Sequence, residues 1–138
     1  MPNLVRFGVS IDENLIAKFD ALIKEESYTN RSEAIRDLIR ESLVKKEWLS
    51  SKEVAGTITI VYEHHKRGLL EELIQTQHEY HDTIISTQHI HLNSDNCLEV
   101  IIVKGLSQEV IRLAQRLKSL KGVKHSSLTM TTTGTELI

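Results

Sequence analysis

The chain opens on a strand pattern that has no partner within reach. Residues 4 to 11, LVRFGVSI, alternate with period two. Val5, Phe7, Val9 and Ile11 share one face, and Leu4, Arg6, Gly8 and Ser10 share the other. Asp12 suits a helix N-cap. Leu15, Ile16, Phe19, Leu22 and Ile23 follow at helical spacing and predict a helix over 13–26. Ser27 to Asn30 reads as a turn. Asn30 with Glu33 three residues on resembles a capping box in which Asn replaces Ser or Thr. Ile35, Leu38, Ile39 and Leu43 then predict a second helix over 31–47. A strand–helix–helix unit of this size is too small to bury a stable core alone. Its single strand also leaves backbone N–H and C=O groups without partners. The same strand from a second chain satisfies both needs, so the pattern predicts an intertwined dimer.

After a linker at 48–55, the chain restarts as strand 56–63, helix 66–80 and strand 83–92. The turn Asn93–Ser94–Asp95–Asn96 leads into strand 97–104, followed by helix 107–120 and strand 123–131. That order is βαββαβ, a ferredoxin-like unit. The expected fold class is therefore α+β, with three parts: a βαα domain at 1–47, a linker at 48–55 and a ferredoxin-like domain at 56–138. Aromatic residues make up only 4% of the chain, so the core must rest on Leu, Ile and Val.

Charge and composition exclude several functions. Net charge is −2, and each half is near neutral: residues 1–47 carry eight Lys/Arg against nine Asp/Glu. Neither half has the basic excess of a constitutive nucleic-acid binder. Any DNA binding should therefore be weak without a specific or conditional contact. No apolar run is long enough to cross a bilayer, and MPNLVRFGVS has no signal-like apolar stretch behind a basic start. One cysteine cannot form an internal disulfide, which fits a reducing cytoplasm.

The chemistry concentrates in QHEYHDTIISTQHIHLNSDNC. His89 and His91 are i and i+2 on a strand, so they share a face about 6 to 7 Å apart. A hairpin loop of about five residues returns Cys97 to that face, whereas a four-residue loop turns it away. His78 ends the apolar stripe of its helix, where a packing role competes with a ligand role. His81 follows one turn later, and packing is the favoured reading there. His64 and His65 stand at a strand-to-helix junction, where exposed loop histidines are common; they could bind a loosely held extra ion but are not expected to have a structural role. His125 has no ligand-like neighbour in sequence. A His/Cys set suits Zn(II), Cu or Ni(II). Four protein ligands leave no open position, so the ion is not expected to be catalytic.

Taken together, NRSEAIRDLIR at 30–40, VYEHHKR at 61–67, TQH at 76–78 and HIHLNSDNCLE at 89–99 resemble the nickel-responsive transcriptional regulators. These join a ribbon-helix-helix domain to a ferredoxin-like (ACT-type) metal-binding domain, and the resemblance spans essentially the whole chain. It implies that His89, His91 and Cys97 bind Ni(II), one ion per subunit, with His78 of a neighbouring subunit completing a square plane. It implies a homotetramer, a dimer of dimers, that reads a palindromic operator and represses nickel uptake when Ni(II) is bound. The paired N-terminal strands would enter the major groove with Arg6, Gly8 and Ser10 outward. Gly8 stands where a hydroxyl residue is expected, which removes one side-chain contact. Glu33 and Asp37, one turn apart, read as a solvated acidic face; the resemblance implies that they could hold a cation between domains. Two other functions compete: a regulator whose ferredoxin-like domain senses an organic effector or another transition metal, and a metalloenzyme with Glu99 as its base.

Overall fold

The computed structural model describes residues 3–137. Residues 1, 2 and 138, the outermost positions of the two expected domains, lie outside the described residues. The chain divides into two units, Met1–Arg40 and Glu41–Ile138, and each is described by itself.

In the first unit, residues 3–12 form no strand and are exposed throughout. The expected strand at 4–11 is therefore absent from the single chain. The reason is its missing partner, since a strand without a ladder has nowhere to put its backbone hydrogen bonds. The apolar alternation survives as an uncovered face: Val5 is 83% exposed, Phe7 69% and Val9 62%. Helix α1, Glu13–Glu25, begins where Asp12 accepts from the backbone N–H of Asn14 at 2.9 Å and of Leu15 at 3.4 Å. Helix α2 spans Arg31–Leu49. Its start is half of the expected capping box: the Glu33 N–H donates to Asn30 Oδ1 at 3.0 Å. The Glu33 carboxylate does not reach back, because it pairs with Arg36 instead. Arg31 donates twice to Asp20, at 2.8 Å each, and so ties the start of α2 to α1.

Helix α2 overruns its expected end at residue 47. Trp48, expected in the linker, is a buried core residue of the second unit. Its indole Nε1–H donates to the Thr131 carbonyl at 2.8 Å. Beside it, the Thr132 hydroxyl donates to the buried Glu47 carboxylate at 3.0 Å. These partners hold the helix past the point where its exposed-face pattern fades.

The second unit continues with β1 (Glu53–Glu63), α3 (Leu69–Glu79), β2 (Ile84–His91), β3 (Asn96–Leu106), α4 (Ser107–Ser119) and β4 (Val123–Met130). The four strands form one antiparallel sheet in the order β2-β3-β1-β4. Alternation along β1 sends Val54, Ile58, Ile60 and Tyr62 into the core. They meet Cys97, Ile101 and Val103 of β3, Leu69 and Leu73 of α3, and Val110, Leu113 and Leu117 of α4. Helix α3 starts three residues later than the spacing predicts. Gly68 adopts φ 79°, a left-handed conformation that a right-handed helix cannot contain.

Candidate metal centre

The site is built where the end of β1 meets the β2–β3 hairpin. His91 pairs directly with Cys97 across the hairpin, so the two side chains share a face. This is the five-residue return that the sequence left open. Asn93 builds the turn: its Oδ1 accepts from the Asp95 and Asn96 backbone N–H groups, each at 2.9 Å. Strand β1 runs antiparallel beside β3, with Tyr62 opposite Cys97. The His64 N–H then donates to the Asp95 carbonyl at 2.7 Å. That bond pins the residue after β1 against the hairpin loop.

Three donors converge as a result. Cys97 Sγ lies 3.4 Å from His91 Nδ1 and 3.4 Å from His64 Nδ1. Among the described residues, His64, His91 and Cys97 are the group whose ligand atoms all lie within 4.8 Å of one another. The thiol is buried and both imidazoles are exposed. Burial, with the charge of Glu99 behind it, pushes the Cys97 thiol above its ordinary range. The sulfur therefore keeps its proton at neutral pH unless a cation displaces it. Two nitrogens and one sulfur at these separations are a donor set for a borderline transition-metal ion.

His89 sits one ring away, with its centroid 5.0 Å from that of His91. Its Nδ1 lies 3.2 Å from the Tyr62 hydroxyl, and the two rings meet edge to face. Burial first, then the charges of Glu99 and Cys97, pushes the Tyr62 hydroxyl up to about 12. It is therefore a neutral hydroxyl at working pH. Glu99 pairs with His89 across the hairpin and accepts from Gln77 at 3.3 Å.

His78 lies outside the three-donor group. It ends α3 and stacks on His81, with centroids 6.0 Å apart. Its neighbour Glu79 pairs with Arg116, and that pairing with further help from Gln75 draws the carboxyl down to about 2. Of the four residues read from sequence, one chain thus brings together His91 and Cys97, keeps His89 adjacent and leaves His78 apart. From its place in the sequence, His64 was expected to hold at most a loosely bound extra ion, yet its ligand atom lies with those of His91 and Cys97. The signal for it was topological: in a βαββαβ sheet β1 adjoins β3, so the residues after β1 must lie beside the start of β3.

The other expected residues have different surroundings. Arg6, Gly8 and Ser10 lie in the exposed N-terminal segment, and nothing comes within 4 Å of a Cβ built on Gly8. Glu33 is engaged by Arg36. Asp37 accepts from the Tyr28 hydroxyl at 2.6 Å and from Arg40 at 3.3 Å. A cavity of about 360 Å³ is lined by Glu71, Glu72, Gln75, Thr76, Arg116 and Leu120, with no histidine or cysteine. No helix among the described residues is long and apolar enough to cross a membrane.

Comparison with known proteins agrees with this architecture. Residues 5–46 match the ribbon-helix-helix protein family of the copG type. Residues 55–131 match the NikR C-terminal nickel-binding domain. A protein named "Putative nickel-responsive regulator" from Syntrophus aciditrophicus is 55% identical over 97% of this chain and 98% of its own length. One of the same name from Pyrococcus furiosus is 56% identical over 98% of this chain and 99% of its own. An uncharacterized protein structure from Thermotoga maritima shares the fold alone: its TM-score is 0.52 at 14% identity, covering 57% of this chain and 98% of that one. The class is therefore a ribbon-helix-helix protein carrying a ferredoxin-like metal domain. Within that class, the chain belongs to the nickel-responsive regulator family.

Proposed function

We propose that this chain is a Ni(II)-responsive DNA-binding regulator that represses nickel uptake when the ion is bound. One Ni(II) per subunit is held by His89, His91 and Cys97 of one chain and His78 of a second. The pairing of His91 with Cys97 carries this reading, because it aims a thiol and an imidazole at one point. His78 lies apart from that point within one chain, which fits a ligand that serves a neighbour. Bound there, the ion supplies a fixed charge and coordination bonds that exist only when both chains are correctly apposed. Cys97 loses its proton to solvent on binding, so affinity falls with acidity. Four protein donors fill the inner shell, so the ion senses rather than catalyses.

The assembly is a homotetramer, a dimer of dimers. The uncovered Val5, Phe7, Val9 and Ile11 support the dimer, because an identical segment pairing in antiparallel covers them. The paired ribbon then presents Arg6 and Ser10 to the major groove of a palindromic operator, with Gly8 between them making no side-chain contact. The protein works in the cytoplasm, where its lone thiol stays reduced. Glu33 and Asp37 are available to a cation between domains only if Arg36, Arg40 and Tyr28 release them.

The test is DNA binding by the full chain, using duplexes selected from a random pool, with and without Ni(II). Binding should require Ni(II) and be lost in His78→Ala. Retention that ignores both changes refutes the switch. A Ni(II) titration without any thiolate–metal absorption would instead favour an organic effector.

A further inference from the structure

Strand β2 is the least secured element of the candidate site. It is an edge strand, paired to β3 alone. Its side chains are exposed from Ile85 to His91, so no buried face fixes its register. Its far end is irregular, because the pairing with β3 shifts between Ile84 and Ser86. Strand β3, by contrast, pairs with β1 without a shift, from Glu53 opposite Leu106 to Glu63 opposite Asn96. The loop end of the hairpin must therefore set where β2 lies along β3.

We propose that Asn93 is a positioning residue for Ni(II): its side chain locks the hairpin in the register that puts His91 opposite Cys97. The inference rests on the Ni(II)-binding role proposed above and deepens it. A slip of one residue would place Cys97 opposite Ile90. His89 and His91 would then turn to the outer face of the sheet, away from the sulfur, with no ligand deleted.

Asn93 acts through one oxygen. Its Oδ1 accepts from the backbone N–H groups of Asp95 and Asn96, each at 2.9 Å, and from Asn96 Nδ2 at 3.2 Å. The Asn96 carbonyl accepts in return from the N–H of Leu92 at 2.9 Å and of Asn93 at 3.3 Å. Asn96 is also gripped from the far side, where its Oδ1 accepts from Lys124 Nζ at 2.7 Å. A slip breaks the Leu92–Asn96 bond, and Asn93 holds the turn in the shape that makes it. The backbone there does not call for asparagine: among the described residues, Ser27 and Ser51 are the non-glycine positions with positive φ. What Asn93 adds is the acceptor, which Asp shares and Ala lacks.

The test has two arms on the full chain. In the first, Ni(II) is titrated into reduced protein against a chelator of known affinity, with the near-ultraviolet absorption of a thiolate–Ni(II) bond as readout. Asn93→Ala should weaken binding by about tenfold or more, the usual effect of losing an outer support of a metal ligand. Asn93→Asp should stay near wild type. Asn93→Ser, with a shorter acceptor, should fall between them, and it replaces Asn93→Ala if urea unfolding shows that variant unfolded. The second arm uses no metal. Residues directly opposite each other bring their Cβ atoms within reach of a disulfide. His91→Cys should therefore couple to Cys97 under oxidised glutathione, and adding Asn93→Ala should slow that coupling. Both effects are required: either one alone, or neither, overturns the proposal. A loss of affinity in Asn93→Asp as large as in Asn93→Ala overturns it as well. If wild type shows no thiolate–Ni(II) absorption, the Ni(II) reading fails, and the coupling rate by itself decides whether Asn93 sets the register.

Discussion

Replacing Tyr62 by Phe removes one oxygen and should weaken Ni(II) binding without unfolding the domain. Tyr62 is 3% exposed, and its ring is part of the core, so Phe keeps the packing. What disappears is the contact between its hydroxyl and His89 Nδ1, at 3.2 Å. With Nδ1 engaged there, only Nε2 of His89 is left to bind a metal. That requires Nδ1 to carry the proton and donate it to the Tyr62 oxygen. Without the oxygen, the ring is free to rotate and to adopt the other tautomer. Loss of such an outer partner typically costs about 10- to 100-fold in metal affinity, or about 1.4 to 2.8 kcal/mol. The apo-fold should change by only about 1 kcal/mol, the net worth of a single hydrogen bond. Chelator competition measures the first quantity, and urea unfolding of the apo-protein measures the second. Unchanged affinity would refute the role given to Tyr62. So would an affinity loss matched by an equal loss of apo-stability, since that would mean general damage.

Three further outcomes are expected. Leu113→Ala empties a fully buried position facing the sheet and should cost about 2 to 5 kcal/mol in urea unfolding; a smaller cost would mean that α4 packs more loosely than described. The Tyr62 hydroxyl is raised from 10.0 to about 12 in the folded state, so folding favours its protonated form. Its contribution is complete below pH 10.0 and is lost as pH rises toward about 12, so wild type should lose more stability over that window than Tyr62→Phe; parallel melting curves would contradict this. Phe7→Glu puts a charge on the apolar face of the N-terminal segment and should abolish dimer pairing there, together with DNA binding. Analytical ultracentrifugation and gel shift read the two losses, and a variant that still binds DNA normally would remove the case for a paired ribbon.

Local patterns made most of the second unit legible. Ile58, Ile60 and Tyr62 alternate, and Val110, Leu113 and Leu117 repeat at helical spacing, whereas Val54 fell in the expected linker although the strand begins at Glu53. Both signals depend on near neighbours, so they survive without tertiary knowledge. The N-terminal segment carries an equally clear alternation, yet it forms no strand in one chain. A strand is a property of a pair, and its pair lies in another molecule. Trp48 was missed for the opposite reason: its partner, the Thr131 carbonyl, is far away in the sequence of the same chain. At the candidate site, His89, His91 and Cys97 stood out because they share one hairpin. His64 did not, because its approach to Cys97 depends on the order of strands in the sheet.

Helix α2 also has a consequence for how such proteins can be recombined. It begins among the residues of the first unit and ends with Trp48 embedded in the core of the second. No loop separates the two, so the natural seam is not at the helix end. A chimaera that exchanged DNA-reading units at residue 49 would import a foreign side chain into the wall of the sheet. A splice before Glu41 would carry Glu47 and Trp48 along with the strands that hold them, and should preserve the metal domain's fold while changing the target sequence.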